Sequence, residues 1–303
     1  MTQSMVATSP MPAEIERAIR TAGPVIDPLA AKALYAPLLA DMPLGGEVIR
    51  DIAYGSDERH RLDLYLPVGA SDMAPVVVFL HGGGFIRGDK DDRAAVGHYF
   101  SRHGILAILP NYRLGPRHHW PAGAEDVSAV LRWARAHVAE HGGDREHIVL
   151  AGESAGAAHV AAATLIKRFH PDEGLCIAGA FLASGVYNLE LELLARDQFG
   201  IATPDPRNEA YFGTDFARYR AMSTVELVNA APFPLAITYA ELDPIQMQAQ
   251  AGELFARLVT CHGFQPRIAV IRGHNHLSQV YSINSGDEAL AGPLLDFVRG
   301  SQA

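Results

Sequence analysis

Short runs of mostly apolar residues alternate along this chain with longer segments in which apolar residues recur every three or four positions. Runs of the first kind occupy residues 76–80, 105–109, 148–151, 176–183, 235–240 and 267–271. Segments of the second kind occupy residues 122–141, 246–263 and 289–299, and the alanine-rich run 157–163 is predicted to be a buried helix. Continuous apolar runs are typical of strands buried on both faces, and the longer period is typical of helices. The alternation predicts an α/β fold with a mostly parallel, doubly wound central sheet and helices on both faces.

Two regions depart from this alternation. Between residues 12 and 44, helical spacing interrupted by Gly23-Pro24 predicts two short helices that contribute to a cap. Residues 187–234 mix polar, aromatic and turn-forming positions, and an insertion of that length is typical of a lid over a site. We therefore divide the chain into an N-terminal helical segment, 1–44, and a main domain, 45–303, that carries the lid.

Ser154 lies in the pentapeptide Gly152-Glu153-Ser154-Ala155-Gly156, between a predicted strand and a predicted helix. This G-x-S-x-G pattern in that context is typical of a nucleophile elbow, where the turn is too tight for bulk two positions before or after the serine. The hydroxyl then projects from the turn, and the N-terminus of the helix favours negative charge beside it. We interpret Ser154 as a nucleophile.

A second glycine-rich segment, His81-Gly82-Gly83-Gly84-Phe85, follows the predicted strand 76–80. Consecutive glycines let the backbone pass close to a reacting group and turn N–H donors toward it. We therefore predict an oxyanion site at Gly82, Gly83 and Gly84. A flexible turn is the alternative.

A serine nucleophile needs a base, and the base needs an acid that orients it. After the predicted strand 235–240 the chain offers two carboxylates, Glu241 and Asp243. We favour Asp243, because Pro244 fixes the turn after it while Glu241 still adjoins the strand. Glu241 stays open as the alternative.

Two histidines, His274 and His276, follow the last predicted strand. A strand end that comes after the acid is where the base of such a triad belongs, and we favour His276. His274 then structures the loop or lines the site. Two histidines one residue apart also suggest metal ligands, but no stretch rich in carboxylates or cysteines accompanies them. We expect neither a metal nor a cofactor.

The composition limits the classes of partner and the cellular location that we expect. The 303 residues carry a formal net charge of −9, and this acidity disfavours nucleic acid and anionic membrane surfaces. Cys176 and Cys261 lie far apart in the sequence and are expected to be separate thiols. No stretch approaches about 18 consecutive apolar residues, and the N-terminus lacks a signal-peptide pattern, so we expect a cytoplasmic protein.

These motifs together resemble the hormone-sensitive-lipase-like carboxylesterases of the α/β-hydrolase superfamily, from about residue 45 to the C-terminus. The resemblance implies an α/β-hydrolase fold with a small cap or lid. It implies Ser154, Asp243 and His276 as the catalytic triad. It further implies the amides of Gly82 to Gly84, together with that of Ala155, as oxyanion donors.

Other segments also resemble arylformamidase-like members of the superfamily. They are residues 62–67, 111–113, 185–189 and 275–278. The chain departs from the commoner pattern at Glu153, where aspartate is usual, at Ala157, where a further glycine is usual, and at Asn275, where an acidic residue often precedes the histidine. These departures remove no catalytic group but leave the preference for esters or formamides open.

We therefore expect a serine carboxylesterase that hydrolyses small acyl or aryl esters through an acyl-enzyme. An arylformamidase-like amide hydrolase with the same triad is one alternative. A non-catalytic ligand-binding protein on the hydrolase fold is another, although the presence of His276 disfavours it. The expected partner is a small-molecule ester, and the family resemblance is compatible with a homodimer. Four aromatic residues are predicted to form an apolar substrate pocket: Phe85, Phe199, Tyr211 and Phe212.

Overall fold

The computed structural model describes residues 11–69, 73–198 and 206–300. Within these ranges eight strands form one sheet, in the order β1-β2-β4-β3-β5-β6-β7-β8. The strands are β1 (Val48–Ala53), β2 (Arg61–Tyr65), β3 (Ala74–Leu80), β4 (Leu106–Pro110), β5 (Gly143–Glu153), β6 (Gly179–Ala183), β7 (Leu235–Leu242) and β8 (Arg267–Asn275).

The strands from β3 to β8 pair in parallel, whereas β1 and β2 form an antiparallel hairpin at one edge. β2 joins the hairpin to the rest of the sheet through an antiparallel pairing with β4, in which Leu64 lies opposite Ile108. The predicted α/β fold with a mostly parallel central sheet is therefore confirmed.

Helices connect these strands and cover the sheet. They are α1 (Ala13–Ala22), α2 (Pro28–Ala40), α3 (Ala94–Arg102), α4 (Ala122–His137), α5 (Ala155–Leu165), α6 (Leu189–Gln198), α7 (Pro206–Phe212), α8 (Thr224–Leu227), α9 (Ile245–His262), α10 (Ser278–Tyr281) and α11 (Ala291–Val298). In the part of the chain that the structure describes, no helix is long and apolar enough to cross a membrane.

Strand β3 illustrates why both faces of the sheet are buried. Val76 and Val78 belong to an apolar cluster that includes side chains of α4, α5 and α9. Val77 and Phe79 belong to a second cluster, with side chains of α3 and α11. Successive side chains of a strand point to opposite faces, so a continuous apolar run supplies both cores at once.

The helices α1 and α2 pack beside the last two strands. Ile15, Ile19 and Tyr35 are buried in a small cluster that also contacts Leu242, at the end of β7, and Tyr281 of α10. The segment between β6 and β7, predicted as a mixed lid, contains the helices α6, α7 and α8. The boundary between the two predicted segments at residue 44 stays a prediction.

Two strands begin elsewhere than predicted. β5 begins at Gly143 rather than at residue 148, because Gly143 already pairs with Ala74 of β3 although the residues after it are polar. β6 begins at Gly179 rather than at residue 176. Cys176 has a φ of 35°, a value that an extended strand does not accommodate.

Helix α5 lies unusually close to the sheet. A Cβ atom added at Gly156 would stand 2.3 Å from the carbonyl oxygen of Leu80, and one added at Gly152 would stand 2.6 Å from the carbonyl carbon of Gly156. The helix can therefore begin directly after β5 and cross over the end of β3 because both residues lack a side chain.

We expect Gly156→Ala to destabilise the protein by about 1–3 kcal/mol, because the added methyl group meets backbone atoms that cannot turn away. The matched control is Gly252→Ala. Gly252 is exposed in the middle of α9, and an added Cβ there meets nothing within 4 Å. That change should stabilise the protein by up to about 1 kcal/mol through helix propensity. Urea unfolding of both variants measures the difference, and equal stabilities would contradict the close-packing explanation.

Candidate active site

Ser154 occupies the turn between β5 and α5. Its φ and ψ are 52° and −120°, an uncommon conformation for a residue with a side chain. The turn is held by a hydrogen bond of 2.8 Å from the Ser154 amide to the carbonyl of Ala183, at the end of the neighbouring strand β6. Ser154 therefore has the strained backbone that is typical of a nucleophile elbow.

Asp243 and His276 follow the ends of β7 and β8, and the structure brings both to Ser154. Nε2 of His276 lies 2.9 Å from Oγ of Ser154, and Nδ1 lies 2.7 Å from Oδ1 of Asp243. A carboxylate only accepts, so Nδ1 carries a proton and donates it to Asp243. In the neutral imidazole Nε2 is then free to accept the Ser154 hydroxyl proton.

The carboxylate of Asp243 is buried, and both of its oxygens accept hydrogen bonds. Its Oδ2 accepts hydrogen bonds from the amide of Ala240, at 2.7 Å, and from the hydroxyl of Ser184, at 2.5 Å. Gln279 of α10 donates to the Ser184 hydroxyl at 2.7 Å, which leaves that hydroxyl proton directed at Asp243. Sequence reasoning missed Ser184 and Gln279. The position of Ser184 directly after the end of β6 was the one available signal.

The pKa of His276 is raised above its ordinary value. Burial opposes the charged imidazolium and on its own would lower the pKa. The adjacent Asp243 carboxylate and, at longer range, Glu153 outweigh burial, while Arg207 acts against them. The site therefore favours a proton on His276, as a base that must accept one requires.

The two alternatives considered for these roles lie elsewhere. Glu241 accepts a hydrogen bond of 2.8 Å from the amide of Gly273 and makes none with His276. His274 is fully buried, with Nε2 3.2 Å from Oδ2 of Asp287 and Nδ1 3.1 Å from Oγ of Ser278. His274, near the end of β8, thus binds two residues of the segment that follows the strand. This agrees with the first of its two predicted roles, which was to structure the loop.

The glycine segment after β3 forms a loop beside Ser154. Gly83 and Gly84 have φ values of 139° and 60°, in the region that favours glycine. The N–H of Gly82, however, donates to Oε1 of Glu153 at 2.7 Å. Gly82 is therefore not free to donate to a substrate, which corrects the prediction for this residue. Among described residues, the amides of Gly83, Gly84 and Ala155 have no acceptor within the chain.

His81 and Tyr112 support this loop from behind. The His81 ring stacks on the Tyr112 ring at 4.4 Å, and the Tyr112 hydroxyl donates to the His81 carbonyl at 2.7 Å. Nδ1 of His81 donates to the carbonyl of Gly82 at 2.7 Å. Burial lowers the pKa of His81 to about 4, so this imidazole is neutral near pH 7.

A cleft of about 140 Å³ opens in front of Ser154. Its apolar walls come from the α1–α2 connection with the start of α2, the glycine loop, the segment after β6, the start of α9 and the residue after His276. They are formed by Ile26, Pro28, Phe85, Val186, Met247 and Leu277. Arg207 and Glu192 add charged groups on the lid side.

The predicted aromatic pocket is only partly present. Phe85 lines the cleft. Tyr211 is fully buried, stacks on Phe85 at 5.2 Å and bonds to the Gly123 amide through its hydroxyl, so it supports the wall from behind. Phe212 packs edge-on against Phe85 at 5.0 Å and does not line the cleft. These findings correct the prediction for Tyr211 and Phe212, and Phe199 lies outside the described residues.

The comparison with protein families bears on this arrangement. A family model described as the alpha/beta hydrolase fold matches residues 77–279, which include the glycine loop, Ser154, Asp243 and His276. The chain belongs to this α/β-hydrolase family. The family membership agrees with the topology of the sheet.

Several relatives of this α/β-hydrolase are named as esterases. It is 28% identical over 277 residues to a probable isoprenylcysteine alpha-carbonyl methylesterase of Oryza sativa subsp. japonica, covering 83% of this chain and 65% of that protein. It is 43% identical over 95 residues to the carboxylesterase NlhH of Mycobacterium tuberculosis (strain ATCC 25618 / H37Rv), covering 31% of this chain and 30% of that protein. The chain thus spans less than two thirds of the length of these relatives.

Solved structures with the same fold can be superposed on nearly the whole of this α/β-hydrolase chain. A bacterial heroin esterase superposes with a TM-score of 0.73 at 22% identity, covering 97% of this chain and 99% of the other. An esterase of Pyrobaculum calidifontis gives a TM-score of 0.73 at 20% identity, covering 96% and 99%. At these identities the likeness establishes the fold.

We expect the imidazole of His276 to titrate above the ordinary histidine range of about 6.5. Asp243→Asn should move its midpoint to lower pH, because the charge that favours the imidazolium is lost. NMR titration of the histidine side chains measures both midpoints. His159, whose pKa burial lowers to about 3, is an internal control that should stay neutral throughout. An unchanged His276 midpoint in the variant would contradict the role assigned to Asp243.

Proposed function

We propose that the protein is a serine carboxylesterase in which Ser154 is the nucleophile, His276 the base and Asp243 the residue that orients it. The observation that carries this proposal is the continuous hydrogen-bonded chain from Ser154 Oγ to His276, at 2.9 Å, and from His276 to Asp243, at 2.7 Å. An ordinary serine hydroxyl is a weak nucleophile, and this chain is the arrangement that activates it.

The reaction begins when Nε2 of His276 takes the Ser154 hydroxyl proton and Oγ attacks the ester carbonyl. The negative charge of Asp243 stabilises the imidazolium that forms, and its bond to Nδ1 fixes the ring. The imidazolium then gives its proton to the departing alcohol, which leaves an acyl group on Ser154. Water, deprotonated in turn by His276, attacks the acyl group and releases the acid.

The tetrahedral intermediate places a negative charge on the former carbonyl oxygen. The amides of Gly83, Gly84 and Ala155 are the donors proposed for that oxygen. No acceptor for them lies in the described part of the chain, which supports this role. The N-terminus of α5, which begins at Ala155, adds a favourable dipole. One such donor is worth about 3 kcal/mol of transition-state stabilisation.

The cleft favours small acyl or aryl esters. Phe85, Val186 and Met247 offer apolar surface near Ser154, and the volume of about 140 Å³ suits a short substituent. The names of the relatives above support ester substrates, and the arylformamidase-like alternative is not favoured. A non-catalytic binding protein would not need a histidine held at 2.9 Å from the serine hydroxyl.

The test is the hydrolysis of p-nitrophenyl esters from acetate to decanoate, beside N-formylkynurenine, by the wild type and by Ser154→Ala. We expect ester cleavage that declines with acyl length, and a loss of roughly 10⁴-fold or more in kcat for the variant. The matched control, Ser56→Ala, changes an exposed turn residue and should retain full activity. Ester turnover retained by the purified Ser154→Ala variant, or dominant formamide cleavage by the wild type, would contradict the proposal.

A further inference from the structure

Glu153 is a buried carboxylate in the wall of the cleft that the hydrolytic steps do not use. It precedes Ser154 at the end of β5 and is 1% exposed. Its carboxylate lies against the backbone of the glycine loop, since a Cβ atom added at Gly82 would stand 2.9 Å from Oε1. The same oxygen accepts the Gly82 N–H at 2.7 Å. Glu153 therefore ties the nucleophile turn to the glycine loop.

Two backbone carbonyls at the start of that loop also accept hydrogen bonds. The His81 carbonyl accepts from the Tyr112 hydroxyl, and the Gly82 carbonyl accepts from the His81 ring, both at 2.7 Å. With the Gly82 amide bound to Glu153, the loop is fixed up to Gly82. The next two amides, those of Gly83 and Gly84, find no acceptor among the residues that the structure describes. The fixed backbone up to Gly82 therefore determines the positions of the Gly83 and Gly84 N–H groups.

Arg93 holds the Glu153 carboxylate in place. It ends the short 3-10 helix Lys90–Arg93, is 6% exposed, and donates to Oε1 of Glu153 through Nε, at 2.9 Å, and through Nη2. Its guanidinium lies 4.7 Å from the ring centroid of Tyr281, in the helix α10 that follows His276. This buried ion pair thus joins the turn that carries Ser154 to the glycine loop and contacts the helix that follows His276.

We infer that Glu153 is a positioning residue of the oxyanion site: it fixes the Gly82 amide and so aligns the amides of Gly83 and Gly84 beside Ser154. Arg93 keeps the carboxylate ionised and oriented for this purpose. The inference rests on the proposed esterase function. Glu153 has two distinct properties in this role. Its oxygen accepts the Gly82 N–H, and its negative charge pairs with Arg93.

Two double variants distinguish these properties. Removal of one partner alone leaves an unpaired buried charge and can unfold the protein, so both charges are removed together. Arg93→Met with Glu153→Gln keeps an oxygen that accepts from the Gly82 amide. Arg93→Met with Glu153→Leu has similar volume and the same net charge but offers no acceptor. Thermal unfolding shows whether each variant is folded. Titration with a phosphonate ester, which reacts with Ser154, gives the concentration of active molecules to which kcat is referred.

We expect kcat for a p-nitrophenyl ester to be at least about tenfold lower in the leucine variant than in the glutamine variant, with KM within about threefold. A trifluoromethyl ketone, to which Ser154 adds reversibly to form an oxyanion, should lose affinity in the leucine variant by a similar factor. Equal kcat and equal ketone affinity in the two variants would overturn the inference. Absence of ester turnover by the wild type would instead overturn the proposed function.

A measurement on the wild type covers the case in which the leucine variant fails to fold. Amide hydrogen exchange should be slow at Gly82, because its N–H is bonded and buried, and fast at Gly83 and Gly84. Exchange at Gly82 as fast as at the next two glycines would show that Glu153 does not fix the loop, and would overturn the inference without any variant.

Discussion

The approach of helix α5 to strand β3 is the constraint on which the site depends. Gly156 brings the helix so close that an added Cβ would stand 2.3 Å from the Leu80 carbonyl. Because of this contact, α5 can start directly after β5, which places Ser154 at the tip of a strained turn with a φ of 52°. The same contact brings the Ala155 amide to the side of the glycine loop. The positions of the proposed nucleophile and of the proposed oxyanion donors thus depend on one close contact between backbones.

Charge is arranged around that turn in two buried pairs. Asp243 faces His276 and holds its pKa above the ordinary value, whereas Glu153 faces Arg93. Buried charges are tolerated when each has a partner and further hydrogen bonds, and Ser184 supplies such a bond to Asp243. The ends of β5 and β7 therefore carry carboxylates without an uncompensated charge next to the reacting atoms.

The sequence was sufficient to predict the fold and to single out Ser154, Asp243 and His276, which the structure places within hydrogen-bond distance of one another, because each has a local signal. Apolar runs mark strands buried on both faces, and a serine between small residues marks the elbow. The pairing of Gly82 with Glu153 and the support of Asp243 by Ser184 were not predictable. Both join residues far apart in the chain, 71 and 59 positions respectively, and depend on which side a backbone N–H or a hydroxyl faces after folding. Tyr211 was misassigned for a similar reason, since aromatic composition does not say which face of a wall a ring occupies.

Activation of Ser154 by His276 is tested most directly by covalent labelling with a p-nitrophenyl phosphonate followed by mass spectrometry. We expect one phosphonyl group per wild-type molecule, located on Ser154, and labelling at least about a hundredfold slower in His276→Ala. Labelling on another residue, or an unchanged rate in His276→Ala, would contradict it.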